Sequence, residues 1–111
     1  MPFEFGDVVL VPFPFTSQTA SEKRPAVVVS SRSYNVAKPN VVLMAVTSQL
    51  RPVPGTGEVW VQDWKAAGLL KPSAIKPVFA TLEQSLVSRQ LGALAPADRE
   101  ALRQAIARTL G

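Results

Sequence analysis

The sequence contains no cysteine and no histidine among its 111 residues. The absence of cysteine excludes disulfides, thiolate metal sites and thiol redox chemistry. The absence of histidine removes the commonest general base at neutral pH and the commonest metal ligand. Any catalysis by this chain must therefore use carboxylates, hydroxyls, amines or guanidinium groups.

Long apolar runs are absent as well. No stretch approaches the roughly 20 apolar residues that a membrane helix needs, and the opening MPFEFGD lacks the charged and apolar regions of a signal peptide. We therefore expect a cytoplasmic protein with no membrane partner. Hydrophobic residues make up 47% of the chain, which predicts one folded domain over residues 1–111.

Charge is distributed unevenly along the chain. The net charge is +4, from 12 basic and 8 acidic residues. Residues 1–64 carry five side chains of each sign, whereas residues 65–111 carry seven basic and three acidic ones. A basic surface fits a polyanionic partner such as a nucleic acid, although an ordinary solvated surface explains the charge equally well.

Short apolar segments separated by proline, glycine and polar residues predict a mainly β protein. TSQTASEK at 16–23 and RPVPGTG at 51–57 predict two loops, and residues 31–35 predict a polar turn. The predicted strands cover residues 8–11, 25–30, 41–46, 58–61, 73–82 and 85–91.

Two segments predict helical structure. Asp63 as a cap and Gly68 as a stop predict a single helical turn. Pro96 near the start and Gly111 at the end predict a C-terminal helix of about four turns, which would cover the open side of a small barrel or sandwich. Its apolar face is predicted to contain Leu102, Ala105, Ile106, Thr109 and Leu110.

No phosphate-binding loop, dinucleotide fingerprint, metal cluster or nucleophile elbow occurs in the sequence. Polar and aromatic residues instead stand where the predicted strands begin and end. They are Phe13 and Phe15 after the first strand, Arg24 before the second, Thr47, Ser48 and Gln49 after the third, and Glu83, Gln84 and Ser85 between the last two.

Four segments spread over residues 5–110 form an ordered pattern. They are GDVVLVPFPFT (6–16), KRPAVVVS (23–30), VTSQ (46–49) and GLLKPSAIKP (68–77), followed by LGAL and the predicted helix. Each motif is weak alone, but together, in this order and spacing, they resemble the MazF/PemK family of toxins from type II toxin–antitoxin systems.

The resemblance implies a fold, an activity and partners. The implied fold is mainly β (α+β), a small SH3-like β-barrel of about five to seven strands with a C-terminal α-helix. Members of the family are endoribonucleases that cut single-stranded RNA at short sequences, and they use no metal or other cofactor. They are usually homodimers, and a cognate antitoxin protein blocks the RNA groove.

The resemblance also implies roles for individual residues. The family's catalytic arginine directly precedes the proline of an Arg-Pro motif, which is Arg24 here, and its catalytic threonine opens a Thr-Ser-Gln motif, which is Thr47 here. Many members carry a glutamate in a Ser-Glu-Gln-x-Gly run before the arginine, whereas Glu22 here precedes Arg24 by only two residues. Glu22 and Glu83 are both candidates for the general base. The alternative is that substrate positioning and electrostatics supply most of the rate.

The chemistry of these residue types suits RNA cleavage by the 2′-hydroxyl. That reaction needs a proton removed from the hydroxyl, negative charge stabilised on the phosphorane and a proton supplied to the 5′-oxygen. The guanidinium of Arg24 presents a planar fork of donors to phosphate oxygens, and the hydroxyl of Thr47 can donate to the same phosphate. The expected products carry a 2′,3′-cyclic phosphate and a 5′-hydroxyl.

Further candidates for RNA contact flank the two catalytic candidates. Phe13 and Phe15 are of the type that stacks on nucleic-acid bases, although core positions are equally compatible with both. The predicted RNA-binding set is Phe13, Phe15, Thr16, Lys23, Ser48, Gln49 and Gln84.

Other interpretations of the same residues stay open at this point. Arg24 next to a buried strand is compatible with a surface salt bridge to Glu22 or Asp7, and Thr47 is compatible with a β-branched residue that only fills a strand end. The same barrel also serves toxins that bind DNA gyrase without cutting RNA, because fold does not fix function. An inactive regulatory member of the family is a further alternative.

Overall fold

A computed structural model describes residues 2–12 and 23–111 of the chain. In these residues six strands and two α-helices follow one another, and a 3-10 turn at Gln84–Leu86 separates the last two strands. The elements are β1 (Asp7–Val11), β2 (Arg24–Val28), α1 (Arg32–Ala37), β3 (Asn40–Thr47), β4 (Val59–Trp60), β5 (Ala74–Glu83), β6 (Arg89–Ala93) and α2 (Pro96–Leu110).

The six strands form one antiparallel sheet in the order β4-β5-β3-β2-β1-β6. The sheet curls into a half-barrel, with β4 and β6 as its two edges. The predicted fold class, a mainly β protein of five to seven strands with a C-terminal helix, is confirmed.

Both faces of the sheet are buried under apolar side chains. Val8 and Val27 belong to one cluster, together with residues of α2, whereas Val9 and Val28 belong to a second cluster on the other face. All four are fully buried. Successive residues of a strand point to opposite faces, so a strand buried on both faces needs an unbroken apolar run. The sequences VVLV and AVVV meet that requirement.

The helix α2 begins at Pro96, in agreement with the prediction. It buries Leu102 and Ala105 against the first cluster. The end of the predicted apolar face differs from expectation, because the side chain of Leu110 is 66% exposed. No helix among the described residues combines the length and apolar character that crossing a bilayer would demand.

Two predictions of local structure differ in detail from the structure. The turn predicted at 31–35 is the start of α1, where the hydroxyl of Ser31 accepts from the backbone N–H of Tyr34. The single turn predicted after Asp63 does form, because the N–H of Ala67 donates to the carbonyl of Asp63 at 3.2 Å. The capping carboxylate is that of the buried Asp98, which accepts from the N–H groups of Gln62 and Asp63.

The remaining predictions of local structure hold with shifted boundaries. Gly68 does end the turn, with a φ of 84° that favours glycine. The strand predicted at 85–91 begins only at Arg89, because the 3-10 turn occupies the preceding residues.

Candidate nucleic-acid interface

Five strand ends meet at one edge of the curled sheet. Val11, at the end of β1, pairs with Arg24, at the start of β2. Thr47, at the end of β3, pairs with Ala74, at the start of β5, and Arg89 begins β6 beside β1. Because all neighbouring strands are antiparallel, ends and starts alternate along this edge. We call it the pocket edge.

Arg24 and Thr47 are neighbours across two adjacent strands. Ala26 of β2 pairs with Ala45 of β3, and that register, continued by two residues, places Arg24 opposite Thr47. Both residues line a pocket of about 540 Å³ at this edge. The structure thus brings together the two residues to which the sequence assigned catalytic roles.

The side chain of Thr47 is oriented by the turn that follows it. Its hydroxyl oxygen accepts a hydrogen bond from the backbone N–H of Gln49 at 3.1 Å, which is the local bond that threonine commonly makes two residues ahead. A hydroxyl that accepts in this way keeps its own hydrogen for donation. Thr47 can therefore donate a hydrogen bond into the pocket, which Ser48 and Gln49 also line.

The pocket is cationic. Three basic side chains line it, those of Arg24, Lys71 and Arg89, and none of its described lining residues is an aspartate or a glutamate. Within residues 2–12 and 23–111, no carboxylate lies at salt-bridge distance from Lys71 or Arg89. Cations that line one pocket attract a ligand of opposite charge, so the arrangement favours an anionic ligand.

Apolar residues form much of the pocket wall. Leu10 and Pro25 stand on β1 and β2, Val46 precedes Thr47, and Leu69 and Leu91 come from the loop after β4 and from β6. Val46 and Leu69 are buried. A partly apolar wall lowers the dielectric constant around the cations, which strengthens their attraction for a bound anion relative to open water.

Close backbone packing fixes the loop that carries Lys71. A Cβ atom built on Gly68 would meet the carbonyl oxygen of Leu91 at 2.1 Å, and one built on Gly92 would meet that of Ala67 at 2.5 Å. The loop therefore lies directly on β6. The hydroxyl of Ser73 donates to the carbonyl of Lys71 at 2.8 Å and closes the loop.

Lys23 stands beside the pocket rather than in its lining. Its ammonium group donates to the hydroxyl of Ser88 at 2.7 Å, which connects the start of β2 with the residue before β6. Lys23 is exposed, so its proposed contact with RNA stays a prediction.

Glu83 and Gln84 lie at the other end of the sheet. Glu83 pairs with Asn40 at the start of β3, and a strand rises about 3.3 Å per residue, so the seven residues from Asn40 to Thr47 separate the two ends by about 23 Å. Within one chain, Glu83 is therefore too far from Arg24 to act as the base of the pocket. This corrects the expectation that both residues belong to one site.

Gln84 makes structural hydrogen bonds instead of lining the pocket. Its side-chain amide donates to the carbonyl oxygens of Asn35, Lys38 and Asn40 at 2.8, 3.0 and 3.1 Å. These carbonyls lie at the end of α1 and at the start of β3, where helix geometry leaves acceptors without helical donors. The expected RNA contact of Gln84 is thus not supported by its position.

Four predicted site residues lie outside the described residues. They are Phe13, Phe15, Thr16 and Glu22. The proposed base-stacking role of the two phenylalanines, the RNA contact of Thr16 and the general-base role of Glu22 stay predictions.

Sequence reasoning missed Lys71 and Arg89 as site residues. Lys71 stands in the segment GLLKPSAIKP, directly before Pro72, but its place in the pocket depends on the loop lying on β6. Arg89 gives no local signal, because its place beside β1 follows from a pairing of residues about 80 positions apart. Knowledge of the strand order would have identified both.

The fold and its pocket can now be compared with known proteins. The sequence profile of the PemK-like, MazF-like toxins of type II toxin–antitoxin systems matches residues 4–110. The chain belongs to that family. No protein with a curated description matches it.

Solved structures share the fold at low sequence identity. A mycobacterial endoribonuclease in complex with its cognate antitoxin is 21% identical, with a TM-score of 0.78 over 98% of this chain and 95% of that one. MazF from Deinococcus radiodurans is 23% identical, with a TM-score of 0.76 over 100% and 98% of the two chains. The Mycobacterium tuberculosis toxin MazF-mt6 is 21% identical, with a TM-score of 0.75 over 94% and 95%.

Proposed function

We propose that this protein is the toxin of a type II toxin–antitoxin system and acts as a metal-independent, sequence-specific endoribonuclease on single-stranded RNA. The observation that carries the proposal is that Arg24 of β2 and Thr47 of the adjacent strand β3 line one cationic pocket. Messenger RNA as the substrate class would place the action of the toxin in the cytoplasm.

The proposed reaction transfers the phosphoryl group within the RNA. The 2′-oxygen attacks the adjacent phosphorus, the bond from phosphorus to the 5′-oxygen breaks, and the two products carry a 2′,3′-cyclic phosphate and a 5′-hydroxyl. Arg24 holds two non-bridging phosphate oxygens and stabilises the additional charge of the phosphorane. Thr47 donates a hydrogen bond to the same phosphate.

Of the two glutamates first considered as general base, only Glu22 stays a candidate. The described lining of the pocket contains no carboxylate, and Glu83 lies at the far end of β3. Glu22 stays a candidate for the base that removes the 2′-proton. The alternative is that positioning and charge stabilisation supply most of the rate, since well-oriented groups alone lower a barrier by several kcal/mol.

The proposal includes two protein partners. Family membership supports a cognate antitoxin as the inhibitor, and a basic pocket edge fits an acidic segment of such a partner. The family also supports a homodimer, with the RNA groove crossing between the two copies. Sedimentation of the purified toxin, alone and with the antitoxin, tests both assemblies.

The decisive experiment is cleavage of a long single-stranded RNA in the presence of EDTA, followed by mapping of the cut ends. Defined cuts with 5′-hydroxyl ends are expected for the wild type, and Arg24→Ala should lose cleavage by a factor of about 10³ or more while keeping the fold. Arg24→Lys keeps the charge but loses the fork, so only partial activity should return.

A surface arginine at the opposite end of the sheet provides the control. Arg32 is exposed and pairs with Glu4, so Arg32→Ala removes an equal charge and should leave cleavage unchanged. Unchanged cleavage by Arg24→Ala would contradict the assignment of Arg24. Intact RNA together with tight binding to DNA gyrase would contradict the nuclease function itself.

A further inference from the structure

We propose that Arg89 is a second phosphate-binding residue, which positions the RNA by holding a phosphate that flanks the one bound by Arg24. The inference rests on the proposed nuclease function and adds a residue to which neither the motifs nor the family resemblance assigned a role. It follows from where strand pairing places Arg89 and from the absence of a described carboxylate beside it.

The first step is that strand pairing places Arg24 and Arg89 on either side of β1. Leu10 of β1 pairs with Pro25 on one side and with Arg89 on the other. Arg24 and Arg89 therefore stand on the two strands that flank β1, separated by two interstrand spacings, or about 10 Å between their backbones. Both residues line the same pocket.

The second step is that the position of Arg89 is fixed relative to Arg24. The backbone N–H of Ser88 donates to the carbonyl of Leu10 at 2.8 Å, and the hydroxyl of Ser88 accepts from the ammonium of Lys23 at 2.7 Å. The residues directly before Arg24 and Arg89 are thus bonded to each other. These bonds fix the backbone positions of the two arginines relative to each other.

The third step is charge. Arg89 is exposed, and no described carboxylate lies at salt-bridge distance from it. An arginine that is only part of a solvated surface has no reason to line a pocket. An arginine that faces a chain of phosphates gains two parallel hydrogen bonds and releases a counterion. A single strand that passes Arg24 presents further phosphates within reach of the neighbouring strands.

The different positions of Arg24 and Arg89 predict different kinetic effects when each is removed. Arg24 faces Thr47 and would stabilise charge that develops during the reaction, so its loss lowers kcat. Arg89 stands away from Thr47, beyond β1, and would bind a phosphate whose charge does not change. Binding that is equal in ground and transition states lowers KM without changing kcat.

The test compares Arg89→Gln with the wild type in two assays. In the cleavage assay we expect KM to rise about tenfold or more with kcat unchanged, as for the loss of one charge-assisted hydrogen-bonded pair. In the binding assay the probe is a mixed-sequence 2′-O-methyl RNA oligonucleotide, which lacks the attacking hydroxyl. The slope of log affinity against log salt concentration should fall by about 0.7 to 1.

Two further variants separate a phosphate contact from other effects. Arg108→Gln removes the same charge from the exposed end of α2, so its salt slope should equal that of the wild type. Arg89→Lys should restore the salt slope but only part of the affinity, because lysine keeps the charge and loses the fork. A merely structural role of Arg89 would not produce this pattern.

The outcomes are distinguishable. RNA cleavage by the wild type together with an unchanged KM and salt slope for Arg89→Gln would overturn the role of Arg89 alone. An equal fall in slope for Arg89→Gln and Arg108→Gln would also overturn it, because the effect would then be one of net charge. A wild type that neither cuts RNA nor binds the oligonucleotide would overturn the proposed function as well.

Discussion

The two ends of β3 carry similar polar residues and use them in opposite ways. At the Asn40 end, the amide of Gln84 meets three backbone carbonyls, and the polar groups satisfy one another. At the Thr47 end, Lys71 and Arg89 gather beside Arg24 with no aspartate or glutamate in the described lining. The polar residues at the Asn40 end are used within the fold, whereas three basic side chains at the Thr47 end line a pocket.

The comparison has a physical reason. Hydrogen bonds between neutral groups add stability when both partners are supplied by the fold. Cations placed close together cost free energy in the unliganded protein, and a bound anion recovers it. One end of the strand therefore stabilises the molecule, whereas the basic side chains at the other end suit an anionic ligand.

Removal of a single hydroxyl at the pocket edge should have the largest effect. Thr47→Val keeps the shape and deletes the donor, so kcat should fall about 100-fold. The free energy of unfolding should change little, because the lost bond from Gln49 is replaced by one to water. Thr47→Ser, which keeps the hydroxyl, serves as the control, and equal rates for valine and serine would contradict the role of the hydroxyl.

At the Asn40 end of β3, substitution of Gln84 should change the stability of the protein and not its cleavage rate. Gln84→Ala leaves three carbonyl oxygens without their donor and should lower the free energy of unfolding by about 1–3 kcal/mol, measured by urea denaturation. Gln84→Glu should be at least as destabilising, because carboxylate oxygens would face carbonyl oxygens.

The cleavage rate of the folded Gln84 variants decides whether the two ends are independent. We expect the wild-type rate below the unfolding transition, with Ser85→Ala as an exposed neighbouring control. A loss of cleavage in folded Gln84→Ala would show that this end of the sheet takes part in the site after all.

Two carboxylates should make the stability of the protein depend on pH, and this is the smallest of the expected effects. The N–H of Gly55, and then Arg51, hold the pKa of Glu58 below its ordinary 4.5, whereas burial raises the pKa of Asp7 above its ordinary 3.8. A lowered pKa gives stability that is present above pH 4.5 and is lost as the pH falls through the folded pKa. A raised pKa gives stability that is present below pH 3.8 and is lost as the pH rises through the folded pKa.

Unfolding at pH 3 to 6 measures these two contributions. Glu58→Gln should lose less stability than the wild type as the pH falls below 4.5. Asp7→Asn should differ from the wild type in the opposite sense, by removing a penalty that grows as the pH rises above 3.8. Parallel stability curves for the wild type and both variants would contradict the two shifts.

The residues that could be predicted from sequence are those whose role depends on their immediate neighbours. Arg24 next to Pro25 and Thr47 before Ser48 stand at strand ends that hydrophobic patterning locates, and the order of the motifs points to the family. The mainly β character and the C-terminal helix follow from the same patterning. These signals are local, so no knowledge of pairing is needed.

The residues that could not be predicted depend on contacts distant in sequence. Glu83 and Gln84 follow a strand just as Thr47 does, and only the antiparallel pairing of β3 with β5 places them at the far end. Arg89 enters the pocket because β6 pairs with β1. Asp98 caps a turn about 35 residues before it. None of these pairings leaves a mark in the composition or spacing of the chain.

The contact between Gly68 and Gly92 has a consequence for how this toxin can change over generations. Each glycine meets backbone atoms, and no residue is smaller than glycine, so a mutation at either position has no compensating mutation in a neighbouring side chain. Exposed side chains around the loop meet no such limit, so substitutions there would leave its path unchanged. Under the proposed function, such substitutions are the ones that would alter which RNA is bound.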